Sequence, residues 1–544
     1  MPTHARRGDH TVQRSGARFV LAVAAALTLL NAWKPLTIDD PAYYACAQQI
    51  ARDPFDPYGY MLFWYEHPQN GFDIMMPTGL PYWLSLPLRL FGDRPVVVKL
   101  WLFPLAVLFV GSFHALCRRW APGVERPLTA MTALSPLVLP SLNLMLDVPA
   151  QALALAALLL LVQACERGSL LRALAAGAVA GVSMQTKYAV LLGPGVLLLY
   201  GLSVRRMRLG LAAAAVGAAV FLAWEGLIAL RYGESHLLHH AQWIRAVAAT
   251  KADLLAALIG NLGGVATPVL LLGLVGLGWS RRALLAAGVA MGLGYGAIAA
   301  GPPLTPFVVC GLFGVAVVLV GAAVIWRLAR SPAETEQGAD GVTRFLCLWL
   351  AVEIGAYFFL APFPATRRVM GTALVLTLLV GRLAARSAWS RGRRGVVTAV
   401  ATAGVLLGLL VFAVDFRDAV VQRQAIARIA ERARAAAVAD VWYVGHWGFQ
   451  YYAERAGMRP VVPGQSQLRA GDWLVKPEGR ITQQDVILPP DNVVASGPPI
   501  ELSDWLPLHT VVSYYSGQVP LAPRLGPRLH VDVLRVTADF VPKR

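Results

Sequence analysis

Long apolar segments alternate with short arginine-rich segments through the first 415 residues of this chain, and this alternation limits the folds available to it. Several apolar segments, the first at 19–35, reach the roughly 18 residues that span a bilayer as a helix. The composition agrees, because 57% of the residues are hydrophobic and 15% are charged, whereas soluble domains are about 45–50% apolar and about 25% charged. The sequence therefore predicts an all-α polytopic membrane protein.

The arginines between the apolar segments predict the topology. Loops rich in lysine and arginine stay on the cytoplasmic side, and with segment 1–18 inside, nearly every arginine-rich loop falls on that side. The pattern gives about 13 transmembrane helices, among them 127–143, 254–278 and two short apolar halves between Arg172 and Arg206. These topogenic arginines account for the net charge of +17, and nucleic acid is not expected as a partner.

Three regions follow from this topology. Residues 1–18 are expected to form a cytoplasmic tail and 19–415 a transmembrane module with a long first outer loop at 36–95. Residues 416–544 predict a small mixed α/β domain on the outer side, periplasmic if the module lies in a bacterial cytoplasmic membrane. The expected elements of this domain are strands at 441–444, 473–475 and 530–536 and a helix at 448–455 closed by Gly457.

Two adjacent carboxylates, Asp39 and Asp40, follow the first span. The loop after the first span contains two amphipathic stretches, 41–51 and 78–91, which predict helices. Asp40 precedes Pro41 at the start of the first, which is a good arrangement for a helix N-cap. Asp40 is therefore either a cap or a catalytic group, whereas Asp39 has no such structural role. A carboxylate at the outer membrane surface is placed to take the proton of an attacking hydroxyl as a general base.

A third carboxylate, Asp147, lies at the outer mouth of the predicted span 148–165. An ionised carboxylate at the centre of a bilayer costs about 2.5–3.5 kcal/mol, so an acid near this depth requires an explanation. Asp147 followed by Pro149 suits a helix N-cap, and a catalytic role is the alternative. The two roles are compatible.

Three cations fall on the predicted outer side. Lys187 lies between the two short apolar halves, where it either reaches toward lipid headgroups or binds a lipid phosphate as a point charge. Arg367 and Arg368 lie outside against the positive-inside trend. A bound anionic phosphate explains their position.

Two further groups of residues have more than one interpretation. Glu234 with nearby histidines has the i, i+4 spacing of a divalent metal site, although histidines near headgroups are the ordinary alternative, and no cofactor is expected to be required. The histidines are His236, His239 and His240. The aromatic run 445–452 is suited either to sugar contact or to packing within the outer domain.

Taken together, these residues resemble the GT-C superfamily of membrane glycosyltransferases, in the branch of the protein O-mannosyltransferases and aminoarabinose transferases (glycosyltransferase family 39/83-like). The matching elements, in chain order, are Asp39–Asp40, Pro77–Trp83, Asp147–Pro149, Gln185–Lys187 and Thr366–Arg368. The sequence departs from the branch in two places, with Asp40 where glutamate is frequent and no histidine before Arg367.

The resemblance implies a fold and a reaction. A GT-C-like helical module would transfer a sugar, with inversion, from a polyprenyl-phosphate donor to a lipid, glycan or protein acceptor on the outer face. The first-loop aspartate would be the base, and Lys187 with Arg367 and Arg368 would bind the phosphate. The substrate cavity would include the aromatic residues Tyr43, Tyr82 and Trp83.

Two other classes of protein remain open at this point. A multi-pass transporter is expected to show internal repeats and matching broken helices in two halves, and neither the long outer loop nor the outer domain suits it. A lipid-binding membrane protein without transferase activity would not need Asp39, Lys187 and Arg367 to converge.

Overall fold

The computed structural model describes residues 5–330, 337–478, 484, 486–511 and 513–544, so residues 1–4 of the expected tail lie outside the described residues. Within these ranges, nine helices are long and apolar enough to cross a membrane, or ten if one bent pair is counted as a span. The chain is therefore a multi-pass, mostly helical membrane protein. Contacts between Cα atoms divide it into two compact units.

The first unit comprises Met1–Ala32, Val96–Phe412 and Ser513–Leu521. Two 3-10 turns, Tyr188–Val190 and Thr366–Val369, interrupt its helical course. Its helices are Ala5–Ala32, Pro95–Leu100, Phe103–Trp120, Glu125–Ala133, Asp147–Arg167, Leu170–Thr186, Gly193–Ser203, Met207–Tyr232, His236–Val247, Lys251–Val265, Thr267–Leu277, Arg281–Ala300, Thr305–Arg330, Gln337–Leu360, Met370–Arg391, Ser513–Ser516 and the first half of Arg394–Ala435.

Prolines interrupt two of the 13 expected transmembrane helices. The helix predicted over 127–143 is shorter than expected, because Glu125–Ala133 ends before Pro136 and Pro140, neither of which has an N–H to continue it. The predicted span 254–278 is a pair of helices bent by 75°, and the break comes just before Pro268. The two predicted short halves correspond to the apolar helices Leu170–Thr186 and Tyr188–Ser203. Both are shorter than the 18 residues required of a candidate span.

The second unit combines the long first loop with the C-terminal region, as Trp33–Pro95, Ala413–Val512 and Ala522–Arg544. Its elements from the loop include both amphipathic helices that the sequence predicts. They are the helices Asp40–Arg52, Gly71–Ile74 and Gly79–Phe91 and an antiparallel hairpin of Met61–Trp64 with His67–Asn70.

A six-stranded sheet forms the C-terminal part of the second unit. Val441–Tyr443 pairs in parallel with Arg459–Pro460 and Trp473–Pro477. Leu529–Val536 pairs antiparallel with Trp473–Pro477 and with two short strands, Val493–Ala495 and Ile500–Leu502. A separate pair joins Leu508–His509 to Ala522–Pro523, a 3-10 turn spans Pro490–Asn492, and the helix Trp447–Arg455 follows the first strand.

This region confirms the predicted strands and helix. Alternating side chains of Leu529–Val536 are buried, as expected for a strand with one face in a core. The core on that face includes Ile426 and Ile429, so the helix Arg394–Ala435 continues past the predicted end at 415 and packs on the sheet. Gly457 has φ +82°, the left-handed value that suits a glycine after a helix.

Candidate functional site

The first predicted acid of the helical unit, Asp147, is the opening residue of the helix Asp147–Arg167 and is 5% exposed. Leu146 occupies the cap position, and no side-chain capping bond forms, so the interpretation of Asp147 as a helix cap is wrong. Its carboxylate instead accepts a hydrogen bond from the Lys187 ammonium, with which it forms an ion pair. Two sequence-distant candidates are thus brought into contact.

Lys187 reaches Asp147 because the chain is extended at this residue, with φ −160° and ψ 132°, between the helix Leu170–Thr186 and a 3-10 turn. Its side chain is only 10% exposed. The ammonium therefore points into the protein and does not extend to lipid headgroups.

Beside the interruption between these two elements lies a buried acid, Glu225, that the sequence analysis did not single out. The Glu225 carboxylate accepts hydrogen bonds from the Tyr188 hydroxyl at 3.0 Å and the Ser235 hydroxyl at 2.7 Å. It also accepts from the Gln185 amide at 3.4 Å and the Leu237 N–H at 3.0 Å. Residues on both sides of Lys187 are consequently fixed by one side chain. An acidic residue inside the apolar run 209–230 was the sequence signal for it.

Arg367 and Arg368 lie in the 3-10 turn Thr366–Val369, which follows Pro362 and Pro364. A nitrogen of the Arg367 guanidinium is 3.9 Å from the second carboxylate oxygen of Asp147. Arg368 stacks over the Phe363 ring, with its guanidinium carbon 4.3 Å from the ring centre. Lys187 and Arg367 thus lie beside one carboxylate, and Arg368 lines the same cavity.

These side chains line a cavity, called here the cationic cavity and defined by Asp147, Lys187, Arg367 and Arg368. A second cavity adjoins it and is lined mainly by alanine, valine and leucine. Gln151 and Glu353 line both. Glu353, which accepts a hydrogen bond from the Trp349 indole at 2.8 Å, is another acid that sequence reasoning missed. The site therefore has a charged end and an apolar end.

The predicted pair of first-loop acids belongs to the second unit. Asp40 is fully buried and begins the helix Asp40–Arg52, while Asp39 takes the cap position without a side-chain capping bond. Asp40 instead accepts a hydrogen bond from the Thr37 N–H at 3.1 Å. The prediction that Asp40 is the N-cap is therefore wrong, because Asp40 is the first residue of the helix. Its side chain instead stabilises the turn before the helix.

Asp39 is half-buried and has two neighbours that sequence spacing does not reveal, Tyr65 and His446. Burial lowers the pKa of His446 to about 4, against a smaller opposing effect of the nearby Asp39 charge. Burial, assisted by the same carboxylate, raises the pKa of Tyr65 to about 12. Asp39 therefore shares its surroundings with an imidazole and a phenol that are both neutral at physiological pH.

The three predicted cavity aromatics also belong to the second unit, whereas the residues that line the cationic cavity belong to the first. Tyr43 is 6% exposed within the helix Asp40–Arg52. The Tyr82 hydroxyl donates to the Pro54 carbonyl at 2.7 Å, and Trp83 is half-buried on the same helix, Gly79–Phe91. The contacts of Tyr82 fix the loop, and a role in substrate binding stays a prediction.

The histidines near Glu234 have separate partners. His239 contacts Glu234 at 3.0 Å, whereas His236 contacts the Tyr188 hydroxyl at 2.8 Å and stacks on His240. Among the described residues, the set of three ligand atoms close enough to hold one metal ion lies elsewhere, at Glu478, His530 and Asp532.

Comparison with solved structures finds two kinds of similar chain. The oligosaccharyltransferase of Archaeoglobus fulgidus, in a complex with zinc and sulfate, matches with a TM-score of 0.48 and 13% identity over 85% of this chain and 67% of that chain. ArnT from Cupriavidus metallidurans, bound to undecaprenyl phosphate, matches with a TM-score of 0.42 and 16% identity over 94% of this chain and 97% of that chain.

Both matches have TM-scores below 0.5. No protein-family model and no curated protein sequence matches this chain. At identities of 13–16% the likeness concerns the fold, and the function proposed below rests on the residues of this chain.

Proposed function

We propose that this protein is an integral-membrane glycosyltransferase, which moves a sugar from a polyprenyl-phosphate donor to a hydroxyl-bearing acceptor. The observation that carries the proposal is the cationic cavity. Three basic residues and two acidic residues, Asp147 and Glu353, line it. The basic residues outnumber the acidic ones, so a phosphodiester anion would offset the excess of positive charge.

The positions of the cations suit a phosphate. Lys187 supplies a compact point charge and the arginines supply planar donor groups, which together match phosphate oxygens. Both Lys187 and Arg367 are about nine-tenths buried, so attraction to an anion is screened by water far less than at a surface. In this account Asp147 is a positioning residue, because its carboxylate holds Lys187 beside Arg367.

The adjoining cavity suits the lipid part of the donor. Its lining is mostly apolar and lies between the helices Asp147–Arg167, Gly193–Ser203 and Gln337–Leu360. A polyprenyl phosphate has the same arrangement, with a charged head group attached to an apolar chain. A free sugar or a soluble sugar nucleotide has no part that would occupy the apolar end.

Asp39 is the residue that we propose as general base. The acceptor hydroxyl oxygen would bond to the anomeric carbon of the donor sugar as the bond from that carbon to the phosphate oxygen breaks. Its proton would pass to the Asp39 carboxylate, and the polyprenyl phosphate would leave on the opposite side of the carbon with inversion. Neither a metal nor another cofactor is needed to balance this step.

We further propose that the transfer takes place on the outer face of a bacterial cytoplasmic membrane. The supporting observation is the distribution of arginines, which favours an inside position for Arg206 and an outside position for the C-terminal region. A sugar already linked to a lipid on that face needs no soluble nucleotide as its activating group.

Mass spectrometry of the cell envelope tests the proposed activity. Cells with the gene, without it, and with the Asp39→Asn variant are compared for glycans, glycolipids and polyprenyl-phosphate sugars. We expect one envelope component to lose a single sugar without the gene, while the corresponding polyprenyl-phosphate sugar accumulates; the variant gives the same pattern. Unchanged envelope components in all three strains would refute the activity, and accumulation of an unmodified soluble solute would favour a transporter.

A further inference from the structure

Backbone contacts of the aromatic run 445–452 hold His446 near Asp39. The Leu36 N–H donates to the Tyr452 hydroxyl at 2.9 Å. A Cβ atom at Gly448 would lie 2.6 Å from the Leu36 carbonyl oxygen, so only glycine permits the helix Trp447–Arg455 to approach the chain so closely. His446, just before this helix, is thereby held near Asp39.

The hydrogen bonds of Gln450 establish which nitrogen of His446 carries the proton. The Gln450 amide nitrogen donates to the Phe63 carbonyl at 2.9 Å and to the Glu454 carboxylate at 3.0 Å. Turning the amide over would bring its oxygen against these two acceptors, so the oxygen faces His446 Nδ1, at 2.9 Å. Nδ1 therefore donates, and Nε2 has a lone pair.

His446 Nε2 is a buried acceptor that no described residue satisfies. The residue is 1% exposed, and Nε2 has no hydrogen-bond partner within the described part of the chain. Buried polar atoms are satisfied in the great majority of cases, so such an atom indicates a missing donor. The imidazole has a depressed pKa and stays neutral, which keeps the lone pair available.

Two aromatic side chains of the hairpin pack against the His446 ring. The ring centres of Trp64 and Tyr65 are each 4.5 Å from that of His446. Tyr65 is 37% exposed at the tip of the hairpin and has φ +59°, a left-handed value that is uncommon for an aromatic residue.

Positive φ values also occur in the residues next to Asp39 and His446. Ile38, before Asp39, has φ +52°, and Trp447, after His446, has φ +59°. Strained non-glycine residues concentrate at functional sites, and three of the five in the described chain surround this one cluster.

We propose that His446 binds the acceptor and that the acceptor is a saccharide. Nε2 accepts a hydrogen bond from one sugar hydroxyl, the rings of Trp64 and Tyr65 contact the sugar ring, and a neighbouring hydroxyl gives its proton to Asp39. Aromatic surface combined with a few fixed polar groups is the usual composition of a small-ligand site. This inference rests on the proposed transferase function and adds the acceptor class and a specificity residue to it.

A pair of substitutions separates binding from packing. His446→Phe keeps an aromatic ring against Trp64 and Tyr65 but has no acceptor atom. His446→Gln loses the ring but restores an oxygen near the position of Nε2. A binding role predicts that His446→Gln is the milder variant, whereas a purely structural role predicts that His446→Phe is the milder one. His530→Phe, a histidine of the same unit outside this cluster, is the matched control.

The experiment measures binding of the full-length protein in lipid nanodiscs to an array of mono- to tetrasaccharides, with thermal unfolding as the measure of folding. We expect wild-type protein and His530→Phe to bind the same saccharide. We expect His446→Phe to weaken this binding about tenfold or more, and His446→Gln to recover part of it. Equal binding by His446→Phe and wild type would overturn the proposal, as would the absence of saccharide binding or binding of peptides only.

The donor site is tested separately, so that the two proposals fail independently. Undecaprenyl phosphate is the probe, and wild-type protein is compared with Lys187→Ala. Binding that needs Lys187 supports the transferase whatever the saccharide array shows. If undecaprenyl phosphate does not bind while a saccharide does, the proposed function fails and His446 remains a saccharide-binding residue.

Discussion

The Lys187 ammonium and the Asp147 carboxylate form an ion pair inside the helical unit, although they lie 40 residues apart in the sequence. Both side chains are at least nine-tenths buried. Two buried charges of opposite sign lose much of their hydration, and with Arg367 beside them the local charge is positive. We therefore expect the pair to act as the fixed part of an anion site.

The first prediction concerns the cations of this site. Lys187→Ala and Arg367→Ala are each expected to weaken undecaprenyl phosphate binding by about 10- to 100-fold, because each removes a charge-assisted hydrogen bond worth roughly 1.5–3 kcal/mol. Binding is measured in detergent at constant ionic strength. Lys251→Ala, an exposed lysine of the same unit, is the control. Wild-type affinity in both cavity variants would exclude these cations from the donor site.

The second prediction concerns Glu225, whose carboxylate accepts hydrogen bonds from residues on both sides of Lys187. Glu225→Gln puts an NH2 donor in place of one of the two oxygens that accept from Tyr188, Ser235 and Leu237. The backbone around Lys187 should then be held less firmly. We expect weaker undecaprenyl phosphate binding with Lys187 itself unchanged.

Restoration of that binding distinguishes loosening from general unfolding. Raising the undecaprenyl phosphate concentration should restore full occupancy in Glu225→Gln, because the binding groups remain. A protein that fails to reach full occupancy at saturating lipid would show that Glu225 maintains the fold and does not position Lys187.

The third prediction concerns topology. A reporter at Arg206 should give a cytoplasmic signal and a reporter after Arg544 an outer signal, because the arginine-rich loops keep Arg206 inside. Asp415 is unsuitable for a fusion, since it lies within the helix Arg394–Ala435 and pairs with Lys34. The same signal from both reporters would contradict the predicted arrangement.

The fourth prediction concerns the stability of the second unit at low pH. The Arg528 guanidinium donates to Asp504 at 2.8 and 2.9 Å, and hydrogen bonds from arginine lower the pKa of Asp504 to about 2, although burial opposes them. A carboxyl with a depressed folded-state pKa stabilises the protein above its unfolded pKa of about 3.9 and loses that effect as the pH falls toward 2.

Asp504→Asn tests this linkage. The variant should unfold at a lower temperature than wild type at pH 7, and the difference should shrink between about pH 4 and pH 2. Thermal unfolding is followed by near-UV circular dichroism in detergent. A difference that stays constant down to pH 2 would show that the carboxylate charge of Asp504 does not stabilise the fold.

The sequence was informative where one residue type was unusual for its surroundings. Lys187 between apolar halves and Arg367 on the outer side were predicted to share a site because of their charge, and the structure brings both to Asp147. The amphipathic periodicity of 41–51 and 78–91 and the alternation of 530–536 gave elements within one or two residues of those observed.

The remaining features depend on contacts that no local pattern encodes. The run containing His446 was suited to packing as well as to sugar contact, and only its approach to the chain near Asp39 distinguishes it. Glu225 and Glu353 looked like single charges within apolar helices, because the rotation of a helix about its axis is set by its neighbours. The predicted span 127–143 overlooked the effect of two prolines on an otherwise apolar segment.

The central claim is tested most directly by sugar transfer from the polyprenyl-phosphate donor that mass spectrometry identifies, measured for Asp39→Asn and Asp40→Asn at matched amounts of folded protein. We predict that Asp39→Asn binds undecaprenyl phosphate as wild type does, while its turnover falls about a hundred- to ten-thousand-fold, the usual cost of losing a general base. Asp40→Asn keeps an oxygen that can accept from the Thr37 N–H and should be milder. Turnover by Asp39→Asn above about a tenth of the wild-type rate would contradict the assignment of Asp39 as the base.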